Sequence, residues 1–154
     1  MVEIFIGSDH RGYDLKERIK RCLKNKGCSV EDFGTHSEKS VNFPDFAFPV
    51  VEEVARNVGS FGILVCGSGQ GMCVAANKIR NIIAANCQNI ADAKQAREHL
   101  NANVLCLGAD FVVNHKVMDI VKTFLTTEFK GENPDGLRYQ RRLIKIAIYE
   151  GSRR

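Results

Sequence analysis

Short apolar runs alternate with longer amphipathic stretches along the whole chain. The run at residues 61–66 is apolar throughout, as expected for a strand that is buried on both faces of a parallel sheet. Residues 14–26 instead repeat apolar side chains at the spacing of a helix, and the repeat stops at Gly27. The pattern predicts five strands, at residues 3–6, 29–33, 61–66, 82–86 and 103–107.

Helices are predicted between and after these strands, at residues 14–26, 47–58, 72–77, 90–100, 114–125 and 137–150. Asn114 is expected to cap the fifth of them. Strands that alternate with helices form right-handed βαβ units and a parallel sheet. The pattern therefore predicts an α/β fold, a Rossmann-like three-layer sandwich with a five-stranded parallel sheet and helices on both faces. The extra C-terminal helix, 137–150, either packs on its own sheet or reaches a partner subunit.

The composition fits one domain that spans residues 1–154. No apolar run approaches the roughly 20 residues of a membrane span, and the N-terminus lacks the pattern of a secretory signal. Six cysteines without a C-x-x-C pair match no zinc pattern and predict a reduced, cytoplasmic protein. The net charge of +4 is too small to indicate a nucleic acid partner.

Much of the positive charge lies near the C-terminus, at Arg138, Arg141, Arg142, Lys145, Arg153 and Arg154. A local basic cluster in a nearly balanced chain suits a small anion better than a polyanion. Arg138 and Arg142 are one helical turn apart, so the two guanidinium groups could hold one phosphate, and Arg141 could join them. The alternative is an ordinary solvated helix face.

The strongest local signal is the sequence Cys-Gly-Ser-Gly-Gln-Gly at residues 66–71, between a buried strand and a short helix. Three glycines in five residues expose backbone N–H groups that can bind an anion or a developing oxyanion. A Walker A loop needs Lys followed by Ser or Thr at positions 72 and 73, and a dinucleotide fingerprint needs Gly at position 72. Met72 and Cys73 therefore exclude both motifs. A tight turn that needs glycine is the structural alternative, and nucleotide binding would rest on this loop alone.

Cys66 ends the third predicted strand and begins this loop. The start of a helix favours the thiolate form of a nearby cysteine, and a thiolate can take a carbon-bound proton and return it. The alternative is an inert cysteine of the core. Cys87 has a similar position at a strand end, so position alone does not distinguish the two residues, whereas the glycine loop does.

Three further polar residues lie near predicted strand ends or before a strand. Asp9 and His10 follow the first strand, and ligands of open parallel sheets bind beyond the carboxyl ends of the strands. His10 could bind an anion or transfer a proton, whereas Asp9 could simply cap the next helix. His99 ends the fourth main helix and is either a general acid–base group or a histidine that binds helix C-terminal carbonyl groups.

Eight short motifs follow one another over nearly the whole chain. They are GSDH at 7–10, DFGT at 32–35, SVNFPD at 40–45, CGSGQG at 66–71, AANK at 75–78, REH at 97–99, NVL at 103–105 and RYQRR at 138–142. In this order they resemble the ribose-5-phosphate isomerase B family, which includes galactose-6-phosphate isomerase. No single motif is decisive, but the ordered set is specific.

The resemblance implies an aldose–ketose isomerase of a phosphorylated sugar, with ribose 5-phosphate and ribulose 5-phosphate as the first expected pair. It implies that Cys66 moves the proton between C1 and C2 through a cis-enediolate. It also implies that the enediolate is bound by Ser68 and the rest of its loop, Gly67, Gly69, Gln70 and Gly71. His99 is implied to open the sugar ring, and Asp9 to contact the sugar hydroxyls. The implied phosphate ligands are His10, Arg138 and Arg142.

The resemblance implies no metal ion and no organic cofactor, and the expected partners are a sugar phosphate and a second copy of the chain. Family members are homodimers or dimers of dimers with shared sites. His99 and the two arginines are therefore expected from the subunit opposite Cys66. Neither nucleic acid nor a membrane is an expected partner.

Four residues depart from the family pattern. Phe43 replaces a Tyr, Leu100 an Asn, Asp110 a phosphate-binding Arg, and Tyr139 a His. Asp110 would repel a phosphate unless it pairs with Arg141 or Arg142. These departures leave two alternatives open, an isomerase of a different phosphosugar and a non-catalytic sugar-phosphate-binding or regulatory subunit.

Overall fold

The computed structural model describes residues 2–152, and it has five parallel strands in the order β2-β1-β3-β5-β4. The strands are β1 Glu3–Ser8, β2 Ser29–Asp32, β3 Phe61–Cys66, β4 Ala84–Asn86 and β5 Val104–Gly108. The helices are α1 Tyr13–Asn25, α2 Pro44–Arg56, α3 Gln70–Ala76, α4 Ile90–Leu100, α5 Val117–Thr126 and α6 Leu137–Gly151. Arg153 and Arg154 of the predicted basic cluster, and Met1, lie outside the described residues.

Two apolar clusters cover the two faces of the sheet, which confirms the predicted three-layer sandwich. Side chains of a strand alternate between the faces. Ile63 and Val65 of β3 pack in the cluster formed with α1, α4 and α5, whereas Leu64 and Cys66 pack in the cluster formed with α2 and α3. The alternation therefore places the Cys66 side chain on the α2 and α3 face of the sheet.

Strand register brings three connecting loops to one edge of the sheet. Val65 of β3 pairs with Ser8 of β1, and Cys66 pairs with Gly108 of β5. The loops that follow β1, β3 and β5 therefore begin side by side. Such an edge is where open parallel sheets bind ligands.

The predicted elements are present, with shifts that have local causes. Helix α2 begins at Pro44, three residues before the predicted start, because proline fits the first turn of a helix. Strand β4 is shorter than predicted, and Ile83 donates its N–H to the Asn103 side chain instead. The prediction for Asn114 was wrong: a 3₁₀ turn, Asn114–Lys116, precedes α5, and Asn114 Oδ1 accepts a hydrogen bond from Arg18.

Helix α6 does not pack on the sheet, which excludes one of its two predicted arrangements. It contacts the short 3₁₀ turns at residues 130–136 and helix α4, and none of its residues is buried. Leu137, Ile144 and Ile148 recur at helical spacing and are 47, 50 and 67% exposed. Within residues 2–152, no helix has the length and apolar character needed to span a membrane.

Candidate active site

The glycine loop of residues 66–71 packs closely against several parts of the chain, and Gly69 requires glycine. Gly69 has φ of +76°, and a Cβ at this position would collide with Asn86 Oδ1. A Cβ on Gly71 would lie 3.1 Å from the ring of Phe43. Gly108 of β5 packs so closely that a Cβ there would lie 2.6 Å from the Ser68 carbonyl oxygen. One turn alone does not account for these contacts, since they come from three different neighbours.

Cys66 lies at the base of this loop with 6% of its surface exposed. Its Sγ accepts a hydrogen bond from the Gly69 N–H, with N and S 3.1 Å apart. Its carbonyl oxygen accepts a hydrogen bond of 2.8 Å from the Ala109 N–H. The backbone of Cys66 is thus tied to the residue that follows β5, and a backbone N–H of the glycine loop is directed at its sulfur.

Three other cysteines surround this region, in different electrostatic states. A hydrogen bond from the Cys106 thiol, with further help from Asn86 and Asn77, lowers the pKa of Cys73 to about 7. Burial raises the pKa of Cys87 to about 12 and that of Cys106 well above its ordinary value. Cys73 lies on α3 and its thiol donates to the Ala84 carbonyl at 3.3 Å, so it faces β4.

Asp9 and His10 both make backbone contacts at the end of β1. Asp9 is 7% exposed, and its Oδ1 accepts from the N–H groups of Arg11 at 2.9 Å and Gly12 at 3.0 Å. Asp9 therefore closes the turn before α1, while Gly12 is the N-cap and no side chain caps that helix. His10 Nδ1 accepts from the Val41 N–H at 3.2 Å, which leaves the Nε2–H of a neutral ring as a donor.

Asp110 pairs with Arg11 within the chain, which supplies a cationic partner other than the Arg141 or Arg142 considered from the sequence. Arg11 Nη2 donates to Asp110 Oδ2, and the two residues lie 99 positions apart in the chain. A Cβ on Gly67 would lie 2.7 Å from Arg11 Nε and 3.0 Å from Asp110 Oδ2, so the ion pair covers the first glycine of the loop. Sequence reasoning missed Arg11, although its position directly after His10 was a usable signal.

Asn86 is a second residue that sequence reasoning missed as part of the site. Its Nδ2 donates to the Ser68 carbonyl oxygen at 3.1 Å, which ties the end of β4 to the glycine loop. Ser68 Oγ accepts from the Gln70 N–H at 3.3 Å within the same loop. Among the described residues, Asn86 Oδ1 is buried without a hydrogen-bond partner.

The histidine and arginines predicted for the site gather around Tyr139 at the start of α6. The ring of His99 stacks on that of Tyr139 with centroids 4.3 Å apart and planes 10° apart. The guanidinium of Arg138 lies 4.4 Å from the Tyr139 centroid, and that of Arg142 lies 5.8 Å from it. Arg138 also donates to the Tyr139 hydroxyl, with N and O 2.8 Å apart.

His99, Leu100, Tyr139 and Arg142 line one cavity of about 420 Å³, and Asn86 and Cys87 also line it. Cys66 is not among the residues that line it. The predicted site residues therefore form two sets within one chain. The set at the strand ends contains Cys66, the glycine loop, Asp9 and His10, and the set on the helices contains His99, Arg138 and Arg142.

The described residues, 2–152, contain no group of three or more His, Cys, Asp or Glu side chains that could hold a metal ion. The chemistry available at the strand ends is that of a thiol, a carboxylate, an imidazole, a guanidinium and backbone amides. These groups can bind an anion and move protons.

A doubly wound parallel sheet with these groups beyond its strand ends defines an α/β protein with a small-molecule site at the sheet edge. The sequence model described as Ribose/Galactose Isomerase matches residues 4–146. The chain belongs to this family, which confirms the resemblance drawn from its motifs.

Individual relatives agree with the family over nearly the full length of the chain. A probable ribose-5-phosphate isomerase B from Mycoplasma genitalium is 44% identical over 149 residues, which cover 96% of this chain and 95% of the relative. The structure of Clostridium thermocellum ribose-5-phosphate isomerase B has a TM-score of 0.92 at 44% identity and covers 98% of this chain and 99% of its own. A Mycoplasma genitalium structure with bound ribulose-5-phosphate has a TM-score of 0.90 at 43% identity, with 97% of each chain covered.

Proposed function

We propose that the chain is an aldose–ketose isomerase of a phosphorylated sugar, with ribose 5-phosphate and ribulose 5-phosphate as its preferred pair. The observation that carries the proposal is the contact between Cys66 Sγ and the Gly69 N–H at the edge where three strand-end loops meet. Relatives named ribose-5-phosphate isomerase B support the choice of pentose phosphate.

Cys66 acts as the base in this proposal. Its thiolate takes the proton from C2 of the open-chain aldose and leaves a cis-enediolate whose negative charge develops on O1. The protonated sulfur then returns the proton to C1, while the hydroxyl proton of O2 is transferred to O1, so that O1 ends as a hydroxyl and O2 as the ketone. The reverse direction uses the same steps. Amide donors directed at developing charge are among the strongest contributions to such a reaction.

The glycine loop holds the enediolate oxygens. The amides of Gly69 and Gln70 already bind Cys66 Sγ and Ser68 Oγ. We therefore assign the enediolate oxygens to the Ser68 hydroxyl and to the remaining backbone amides between Gly67 and Gly71. Asp9, fixed by two backbone N–H groups, lies at the adjacent strand end and is assigned to the sugar hydroxyls.

The remaining roles require a second copy of the chain. His99 opens the sugar ring, and Arg138 and Arg142 bind the phosphate together with His10 of the opposite subunit. The separation of His99 from Cys66 into two sets supports this division, and so does the exposed apolar stripe of Leu137, Ile144 and Ile148 on α6. We infer a homodimer, or a dimer of dimers, with the α6 stripe at its interface.

A reduced cytoplasmic compartment suits this chemistry. All six cysteines, four of them close to the site, are free thiols in the structure. The proposed base must stay reduced to accept a proton, and reducing compartments keep thiols in that state.

The decisive experiment compares the wild type with Cys66→Ala and with Cys73→Ser as the matched control. Cys73 has a pKa of about 7, but it faces β4. We expect Cys66→Ala to lose about 10³-fold or more in kcat, within the range of general acid–base catalysis, and Cys73→Ser to stay within about threefold. Incorporation of solvent deuterium at C1 or C2 gives an independent measure of proton transfer.

Comparable turnover of wild type and Cys66→Ala would remove Cys66 from the role of base. Binding of ribose 5-phosphate without any deuterium exchange would favour a non-catalytic sugar-phosphate-binding subunit instead. A panel of tetrose, pentose and hexose phosphates tests the substrate, and faster turnover of another member than of ribose 5-phosphate would replace the preferred pair.

A further inference from the structure

We propose that Arg11, held across Gly67 by Asp110, is a further substrate-binding residue that receives the phosphate of the sugar. The inference rests on the proposed function, since it concerns the same site. It assigns a ligand-binding role to the positive charge in the loop after β1.

Strand order brings the two side chains together over the glycine loop. Strands β1 and β5 both pair with β3, one on each side, so the loops that follow them lie on either side of the β3 end. Arg11 reaches from the first loop and Asp110 from the last, and their ion pair covers Gly67. The guanidinium therefore lies over Gly67, the loop residue that directly follows Cys66 in the chain.

The backbone of both partners is anchored. The Arg11 N–H donates to Asp9 Oδ1 at 2.9 Å, and the Asp110 N–H donates to the Gly67 carbonyl oxygen at 3.0 Å. A Cβ on Gly67 would also lie 3.1 Å from Arg11 Cδ, so the side chain rests on the loop itself. The guanidinium is therefore positioned before any ligand arrives, which reduces the ordering that binding requires.

The guanidinium also retains access to a ligand. The Arg11 side chain is 60% exposed and that of Asp110 is 42% exposed. Nη2 makes the contact with the carboxylate, and a guanidinium carries five N–H donors in a planar fork that fits a phosphate. The ion pair can thus hold Arg11 in place while other N–H groups bind a second anion.

The charges of the neighbourhood favour a phosphate on Arg11. Asp110 by itself would repel a doubly charged phosphate, and Arg11 neutralises that carboxylate. His10 precedes Arg11, and its Nδ1 is bound to the Val41 N–H, so Nε2 is its available donor. Two consecutive residues after β1 therefore supply donors from the subunit that also carries Cys66.

The test compares Arg11→Gln, Asp110→Asn and a matched control, Arg21→Gln. Arg21 is an exposed arginine two turns further along α1, so the control removes the same charge away from the strand ends. The measurements are KM and kcat for ribose 5-phosphate and the Kd of inorganic phosphate by calorimetry, all at fixed ionic strength. Thermal unfolding of each variant verifies that it is folded.

We expect Arg11→Gln to raise both KM and the phosphate Kd about tenfold, with kcat within twofold, because a charge-assisted contact to the phosphate is lost. Asp110→Asn should lower both about threefold, because the amide oxygen can still accept from Arg11 while the repulsive charge is gone. Arg21→Gln should change neither.

Unchanged KM and phosphate Kd in a folded Arg11→Gln protein would overturn the inference and reduce the pair to a surface ion pair. The same result would leave the proposed function intact as long as the wild type turns over ribose 5-phosphate. If the wild type turned over no sugar phosphate, the proposed function would fail, and the phosphate Kd of the variants would still decide whether Arg11 binds the anion.

Discussion

The two halves of the candidate site differ in how the chain supports them. At the strand ends, Cys66 is 6% exposed, and hydrogen bonds from Gly69 and Ala109 hold its sulfur and its carbonyl oxygen. On α6, no residue is buried, and Ile148 is 67% exposed. One half is therefore complete within a single chain, whereas the other presents its residues on a helix that lacks a packed face.

The difference follows from what each segment packs against. The loops after β1, β3 and β5 lie on a sheet whose two faces are covered, and their backbone groups bind one another. Helix α6 has 15 residues, and an isolated helix of that length is marginal in water. Its apolar stripe gains stability only by packing, which a second chain can provide. If the proposed dimer forms, a rigid site around Cys66 and a helix that depends on a second chain belong to one active site.

The largest expected effect is a loss of stability at the strand-end half of the site, in the variant Gly69→Ala. This change forces alanine to adopt φ of +76° and places its Cβ against Asn86 Oδ1 and 2.9 Å from the Leu107 carbonyl carbon. We expect a loss of about 3 kcal/mol in the free energy of unfolding, measured by urea denaturation at fixed protein concentration.

Gly27→Ala is the matched control for this change. Gly27 has φ of +80°, and a Cβ there would meet no atom within 4 Å. The control should lose only the backbone cost, about 1 kcal/mol. Equal losses in the two variants would show that contacts around the loop add nothing to its rigidity.

The second largest expected effect is a loss of association and of kcat, in the α6 variant Ile144→Asp. A charge in the exposed stripe of α6 should prevent association, because burying an unpaired carboxylate is unfavourable. We expect sedimentation to give the mass of one chain and kcat to fall about 100-fold, as His99 and the arginines leave the opposite site. Val58→Asp, at a fully exposed residue before β3, should change neither quantity. A fully active Ile144→Asp monomer would contradict the shared site.

The smallest expected effect is a difference in thiol reactivity between Cys73 and Cys87. Because the pKa of Cys73 is about 7, its reactive thiolate fraction rises from roughly a tenth to nine tenths between pH 6 and pH 8. Alkylation of Cys73 by iodoacetamide, followed by peptide mass spectrometry, should therefore accelerate about tenfold over this range. Cys87, with a pKa of about 12 and 1% exposure, should stay unmodified. A pH-independent rate at Cys73 would refute the hydrogen-bonded environment assigned to it.

Sequence patterns located the strands because buried runs such as residues 61–66 have few polar interruptions. They also located Cys66 and its loop, since closely spaced glycines after a buried strand are a local signal. They did not find the contact between Arg11 and Asp110, which depends on how two loops 99 positions apart meet over β3. The stacking of His99 on Tyr139 was missed for the same reason, since it arises from packing between α4 and α6.

Because of the ion pair over Gly67, positions 11 and 110 should change together during evolution. Asp at position 110 without a cationic residue at position 11 would leave an uncompensated negative charge beside the glycine loop. A cationic residue at position 11 without Asp110 would lose the contact that holds it in place. A lineage that changes one of the two should therefore change the other soon afterwards. Natural relatives that carry Asp at position 110 are expected to carry Arg or Lys at position 11.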